Sequence, residues 1–276
     1  MSVSYIYKLI NYLSKNKKTI IAQDKEHLQT LIKKEVLFFG SQCNLNHIDT
    51  SLITDMSSLF KGSKFNGDIS AWNVSNVKTM EAMFYLSKFN GDISTWNVSN
   101  VTNMDGMFCR SHFNGDISKW NVSKVKNMSG MFWGSQFNGD ISSWNVSVVE
   151  DMSWMLYKSK FNKNISGWNT YNVNNMYAMF RNSNFNGDIS KWDISNVKDM
   201  SSMFQDSKFT GDLEQWYCIN VINISDIFSN CSVPIPYWVK IESFKDRSNA
   251  IEAYHTKKIL SKNIYKGSNG LSNFKL

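Results

Sequence analysis

Proline is scarce in this chain: of 276 residues only Pro234 and Pro236 lack a backbone N–H, and they lie near the end with Ile235 between them. Everything before them can donate to a backbone ladder at every position, and the prolines mark where such a ladder must stop. Cysteine is also sparse. Cys43, Cys109, Cys218 and Cys231 share no close spacing and form no Cys-x-x-Cys or Cys/His cluster. That argues against a disulfide scaffold and against a zinc site. No apolar run is long enough to span a membrane. The start of the chain lacks a basic segment followed by an unbroken apolar one, because Lys8 and Asn11 interrupt the candidate. No secretory signal or lipobox cysteine is therefore expected, which reads as cytoplasmic. Histidines are four and stand 20 or more residues apart. With no nucleophile elbow and no glycine-rich phosphate loop, the sequence predicts no enzyme, no cofactor and no metal.

Acidic charge is short overall, and the net charge is +7. The excess is confined to the ends: residues 1–40 carry +4, residues 41–240 carry −1 and residues 241–276 carry +4. A nucleic-acid binder is expected to spread positive charge over a face of its main body. A neutral body with basic flanks makes nucleic acid the weaker expectation. Binding of nucleic acid or an anionic surface through those flanks stands as the alternative.

What is present is a repeat. Phe65-Asn66-Gly67-Asp68-Ile69-Ser70-Ala71-Trp72-Asn73-Val74-Ser75 and its continuation to Phe84 recur every 24 residues without slippage. Phe65 to Phe209, Trp72 to Trp216 and Met56 to Met200 form three such columns, and 13 of the 14 methionines fall in two repeat columns. Stripes of Met, Trp and Phe at fixed spacing are core positions. A period in this range is the signature of a solenoid whose repeats bury their apolar faces on one another.

Within a repeat, Val77, Met80, Met83 and Phe84 fall on one helical arc, with Ser75 placed as an N-cap. Ser147 and Glu150 would complete a capping box. Asn66-Gly67 predicts a turn leading into a short strand near Ile69. The expected fold is thus an α/β repeat: a right-handed leucine-rich-repeat-like solenoid with one short parallel strand and one short helix per 24-residue coil. Its expected organisation is an N-terminal cap over 1–44, about eight repeats over 45–232, and an exit over 233–276 marked by the prolines. In the cap the spacing predicts helices over about 5–13 and 25–35, a strand at 19–22 and a buried strand at Val36–Phe39. In the exit it predicts a helix from Arg247 to about Leu260 and a flexible tail over 265–276.

The Trp-Asn-Val-Ser-x-Val-x-x-Met-x-x-Met-Phe unit resembles the BspA-type leucine-rich-repeat surface proteins, and more closely the branch catalogued as a mycoplasma family of unknown function. The resemblance covers about residues 45–232. It implies parallel strands on one side, and adhesion or host-protein binding at a cell surface. Two departures are the replacement of leucines by Trp and Met and the lack of a visible export signal.

Two polar columns have competing readings. Asp68, Asp92, Asp116, Asp140, Asp188 and Asp212 could form a cation stripe, but one carboxylate per repeat does not supply the about six to eight oxygens that calcium takes. Turn hydrogen bonds on a solvated face fit better. Asn73, Asn97, Asn121, Asn145 and Asn169 are expected to form an asparagine ladder. The candidate partner-binding residues lie where variable positions turn aromatic or basic on consecutive repeats: Trp133, Trp154, Tyr157, Tyr177 and Arg181. Residues of these types dominate interface hot spots. The chain is read as a monomeric scaffold for a protein partner, its competitor being the face that carries the aspartates.

Overall fold

A computed structural model describes residues 17–270, with side chains through residue 261. Its regular elements lie at the two ends: β1 (Ile20–Ile21), α1 (Lys25–Phe39), β2 (Ile48–Asp49), a 3-10 turn (Tyr237–Lys240) and α2 (Phe244–Gly270). Between β2 and the 3-10 turn, each 24-residue unit lies against the next and is joined to it by hydrogen bonds.

The helix expected over Ser75–Phe84 does not form. Amides in this stretch alternate between two tasks. Met83, Tyr85 and Ser87 donate three residues back, to Met80, Ala82 and Phe84, at 3.0–3.1 Å. Met80, Ala82, Phe84 and Leu86 donate instead to Asn103, Asp105, Met107 and Cys109 of the next unit, at 2.7–2.9 Å. An α-helix needs every amide for its own carbonyls, so the inter-unit bonds exclude it. Ala82 and Leu86 also take left-handed backbone, with φ of 50° and 55°. That conformation costs about 1–2 kcal/mol for a residue other than glycine, and it recurs at both positions through the array. Two tight turns result. Ser75 caps no helix; its N–H is held by Asn73 Oδ1 at 3.1 Å.

The expected strand near Ile69 is also absent. One parallel bridge per unit recurs elsewhere, through Asp55, Thr79, Asn103, Asn127, Asp151, Asn175, Asp199 and Asn223. Near Gly67 only Asn44 and Asp68 bridge. The Asn66 column does the joining there through its side chains. Asn114 N donates to Asn90 Oδ1 at 2.7 Å, Asn138 N to Asn114 Oδ1 at 2.8 Å, and so on from Asn66 to Thr210. This is the asparagine ladder, and it is not in the column expected to form it. The Asn73 column serves its own unit, as in Asn97 Oδ1 accepting from Ser99 N.

Polar side chains set the remaining bends. In one unit Asn97, Asn103, Ser111 and Asp116 each accept a hydrogen bond from the amide two residues on, at 2.9–3.3 Å. Such Asx and Ser turns fix local backbone without secondary structure. They explain why a unit so rich in Asn and Ser is ordered.

Inside, Phe89 stacks on Phe65 and Phe113 at 6.2 and 6.4 Å between ring centroids, and Phe84 stacks on Phe108 at 5.6 Å. Each tryptophan of the Trp72–Trp216 column is buried, and its indole N–H donates to a carbonyl of the preceding unit, Trp120 to Ile93 at 3.1 Å. Gly91 lies close under the core: a Cβ there would stand 2.8 Å from the Phe89 ring, which would have to shift. The unit around residue 160 departs from the others. Leu156 stands in the Phe84 column, and Lys163 stands in the Gly91 column. There the Phe161 and Phe185 planes open to 14°, against 5° for Phe137 and Phe161.

Both ends are covered. Helix α1 is capped by Asp24, which accepts from His27 N at 2.8 Å, and buries Leu28, Leu31 and Ile32. Val36–Phe39, expected as a buried strand, is the last turn of α1, and Leu37 and Phe38 are exposed. β1 pairs in parallel with β2. The helix expected over 5–13 lies outside the described residues. At the other end Trp238 continues the tryptophan pattern by donating to Leu213 O, and Arg247 is buried with bonds to the Val221 and Ile222 carbonyls at 2.7 and 3.3 Å. Helix α2 is longer than expected and includes residues 265–270 of the expected tail; residues 271–276 lie outside the described residues.

Candidate functional site

The paired turns of one unit place Glu81, Ala82, Tyr85 and Leu86 in exposed or half-buried positions, while some residues of equal register in other units, such as Cys109 and Ala178, are buried. The turn backbone is fixed by the inter-unit bonds, so residues of equal register in successive units form columns on one face. The five residues singled out in the sequence all lie in these columns.

They pack as two groups. The Trp133 and Tyr157 rings meet edge to face at 5.2 Å, with Arg110 over Trp133 at 5.3 Å and Lys158 and Arg181 over Tyr157 at 5.3 and 5.9 Å. Trp154 and Tyr177 meet edge to face at 4.8 Å. Trp154 stays 37% exposed, whereas Trp133, Tyr157, Tyr177 and Arg181 are half-buried. Trp133 Nε1 and Arg181 Nε are buried without a hydrogen-bond partner among the described residues.

Both tryptophans border one groove of about 390 Å³ that runs back over the two preceding units. Gly106 and Gly130 form its floor. Their φ values of 58° and 57° do not explain the glycines, because Ala82 and Trp154 take 50° and 52° in the same column. Nor does packing: a Cβ on Gly130 would come no nearer than 3.9 Å to any neighbour. The consequence of glycine is open space. Along one side stand Glu81, Asp105 and Ser129, along the other Tyr85, Cys109 and Trp133, with Lys61 and Trp154 also in the lining.

Burial raises the Asp105 carboxyl above the ordinary aspartate range, and the charges of Glu81 and Asp151 add to this, while a hydrogen bond from Ser129 opposes it. Glu81 accepts from Asn103 Nδ2 at 3.2 Å. Burial also pushes the Cys109 thiol up to about 11, so it is neutral near pH 7 and a poor nucleophile.

The aspartate column behaves differently. Asp92, Asp116, Asp140 and Asp188 are exposed, and each is held below the usual range by the backbone N–H of the serine two residues on. These carboxylates cap turns. Among the described residues no group of three or more His, Cys, Asp or Glu could hold a metal ion, and no helix is long and apolar enough to cross a membrane.

Two consecutive stretches, residues 31–138 and 135–238, match the family described as "Mycoplasma protein of unknown function, DUF285". The chain belongs to this family. The matches run from α1 through the 3-10 turn, so they take in every repeated unit and the groove. No curated protein and no solved structure matches the chain.

In this DUF285 member the sequence pointed to the aromatic cluster but not to the groove beside it. Glu81, Asp105, Tyr85 and Cys109 are each unremarkable alone in the sequence. The signal is the pair Gly106 and Gly130 in the column that also holds Trp154, next to a column that carries two acids.

Proposed function

We propose that the stacked units form a non-enzymatic solenoid scaffold that binds a protein partner through the face carrying Trp133, Trp154, Tyr157, Tyr177 and Arg181. One observation carries the reading: Trp154 stands exposed in a column otherwise filled by Ser, Ala, Gly and Asp, on the rim of a groove. Large aromatics beside arginine, on a backbone held by repeated bonds, offer contact area at low ordering cost. The neutral body supports a protein rather than a nucleic-acid partner. Adhesion or host-protein binding, which the likeness to BspA-type surface proteins implies, is the setting we propose.

The test is capture from host and bacterial lysates by the wild type, by Trp154→Ala/Tyr157→Ala and by Asp116→Ala/Asp140→Ala. The proposal expects a partner that is lost with the aromatic pair and kept with the aspartate pair. Loss only with the aspartate pair would move binding to the opposite columns. Salt-sensitive capture of RNA or DNA, unaffected by either pair, would favour the basic flanks.

A further inference from the structure

The groove differs from the aromatic cluster in one respect: it is acidic. Glu81 and Asp105 occupy the same register in successive units, since Ala82 N bonds to the Asp105 carbonyl. Chains joined in this way lie about 4.8 Å apart, a spacing that one guanidinium or ammonium can bridge. Neither carboxylate is in an ion pair among the described residues. Opposite them stand Tyr85 and Trp133. This wall already carries cations of the chain itself, Lys61 over Tyr85 at 5.1 Å and Arg110 over Trp133 at 5.3 Å. Such distances are those of cation–π attraction.

Resting on the partner-binding reading above, we propose that this groove receives one basic side chain, arginine or lysine, from the protein partner. Its charge lies between the Glu81 and Asp105 carboxylates, and its aliphatic stem lies over Gly106 and Gly130 against Tyr85, Trp133 and Trp154. The volume of about 390 Å³ suits a side chain, not a folded element. The carboxylates repel phosphate, which sets this face against nucleic acid. Charge-assisted bonds to a planar fork favour arginine over lysine. The like charges of Glu81 and Asp105 oppose each other until a cation enters.

The test uses the full chain and two acetylated, amidated pentapeptides, Gly-Gly-Arg-Gly-Gly and its citrulline counterpart, titrated while the indole N–H resonances are followed by NMR. Citrulline keeps the shape and removes the charge. The proposal expects saturable shifts with the arginine peptide and at least tenfold weaker binding of the citrulline peptide. It expects at least a tenfold loss in Glu81→Gln/Asp105→Asn. Gly130→Trp, which copies the residue that position 154 already holds at nearly the same φ, should abolish binding while leaving the rest of the spectrum folded. Equal affinity for the two peptides, no saturable shift up to millimolar peptide, or an unchanged Kd in the double acid variant would overturn it. The two readings fail separately. Capture of a partner that survives the acid substitutions but not Trp154→Ala/Tyr157→Ala overturns the groove and keeps the scaffold. Peptide binding with no aromatic effect on capture does the reverse.

Discussion

Replacing Trp120 by Ala removes a side chain that is 3% exposed and whose N–H reaches the Ile93 carbonyl at 3.1 Å. A buried tryptophan covers about 200 Å², and at about 25 cal/mol per Å² its loss amounts to about 5 kcal/mol. Measured Trp→Ala costs of about 3–5 kcal/mol agree. The Ile93 carbonyl keeps its bond from Trp96 N at 3.2 Å and loses the indole donor, which adds about 1 kcal/mol. Trp120→Phe separates these contributions, because it keeps most of the ring contact and loses the donor; about 1–3 kcal/mol is expected. Trp154→Ala is the control: that ring is partly exposed and gives up one edge-to-face pair, so about 1 kcal/mol is expected. Urea unfolding followed by far-UV circular dichroism gives all three values. An array of stacked units can unfold in parts, so the slope must match the wild type before midpoints are compared. Finding Trp120→Ala no more costly than Trp154→Ala would refute the assignment of the tryptophan column to the interior.

Other substitutions probe the turns and the ends. Gly91→Ala places a Cβ 2.8 Å from the Phe89 ring, and a loss of about 1–3 kcal/mol by the same urea assay is expected. Arg247→Ala leaves the Val221 and Ile222 carbonyls without their donor at the end of the array; about 2–3 kcal/mol should be lost, with fraying seen as faster hydrogen exchange in residues 213–231. The exposed aspartates set a pH dependence. Asp92, Asp116, Asp140 and Asp188 have folded pKa values below their unfolded ones. Their stabilisation is therefore complete above the unfolded value of about 3.9 and is lost as pH falls through the folded values. Asparagine can cap the same turn without titrating, as Asn164 does for Ser166 at 2.9 Å. Replacing the four by Asn should flatten the fall in melting temperature between neutral and acid pH, and an unchanged fall would place the acid sensitivity elsewhere.

The interior was legible because a strict period exposes its columns: Phe65, Trp72, Met80 and Phe84 and their copies are all buried. Secondary structure was not. Val77, Met80 and Phe84 point inward at spacings of three and four, which a helix shares with successive tight turns. What separates the two is where each amide donates, and that depends on the neighbouring unit. The positive φ at Ala82 and Leu86 leaves no mark either, since glycine holds that position in only some units. The Asn66 and Asn73 columns look alike in sequence, yet only the former bridges units. At the candidate site the large aromatics were visible one by one. The groove was not, because it arises from what Gly106 and Gly130 leave out.

The central claim is that the aromatic face binds the partner. Side-chain footprinting of the complex tests it most directly, with hydroxyl radicals reading Trp154 and Tyr157 and carbodiimide labelling reading Asp92, Asp116 and Asp140. The account predicts at least a several-fold drop in Trp154 and Tyr157 oxidation on complex formation, with aspartate labelling unchanged. Protection of the aspartates, with Trp154 as reactive in the complex as in the free protein, would contradict it.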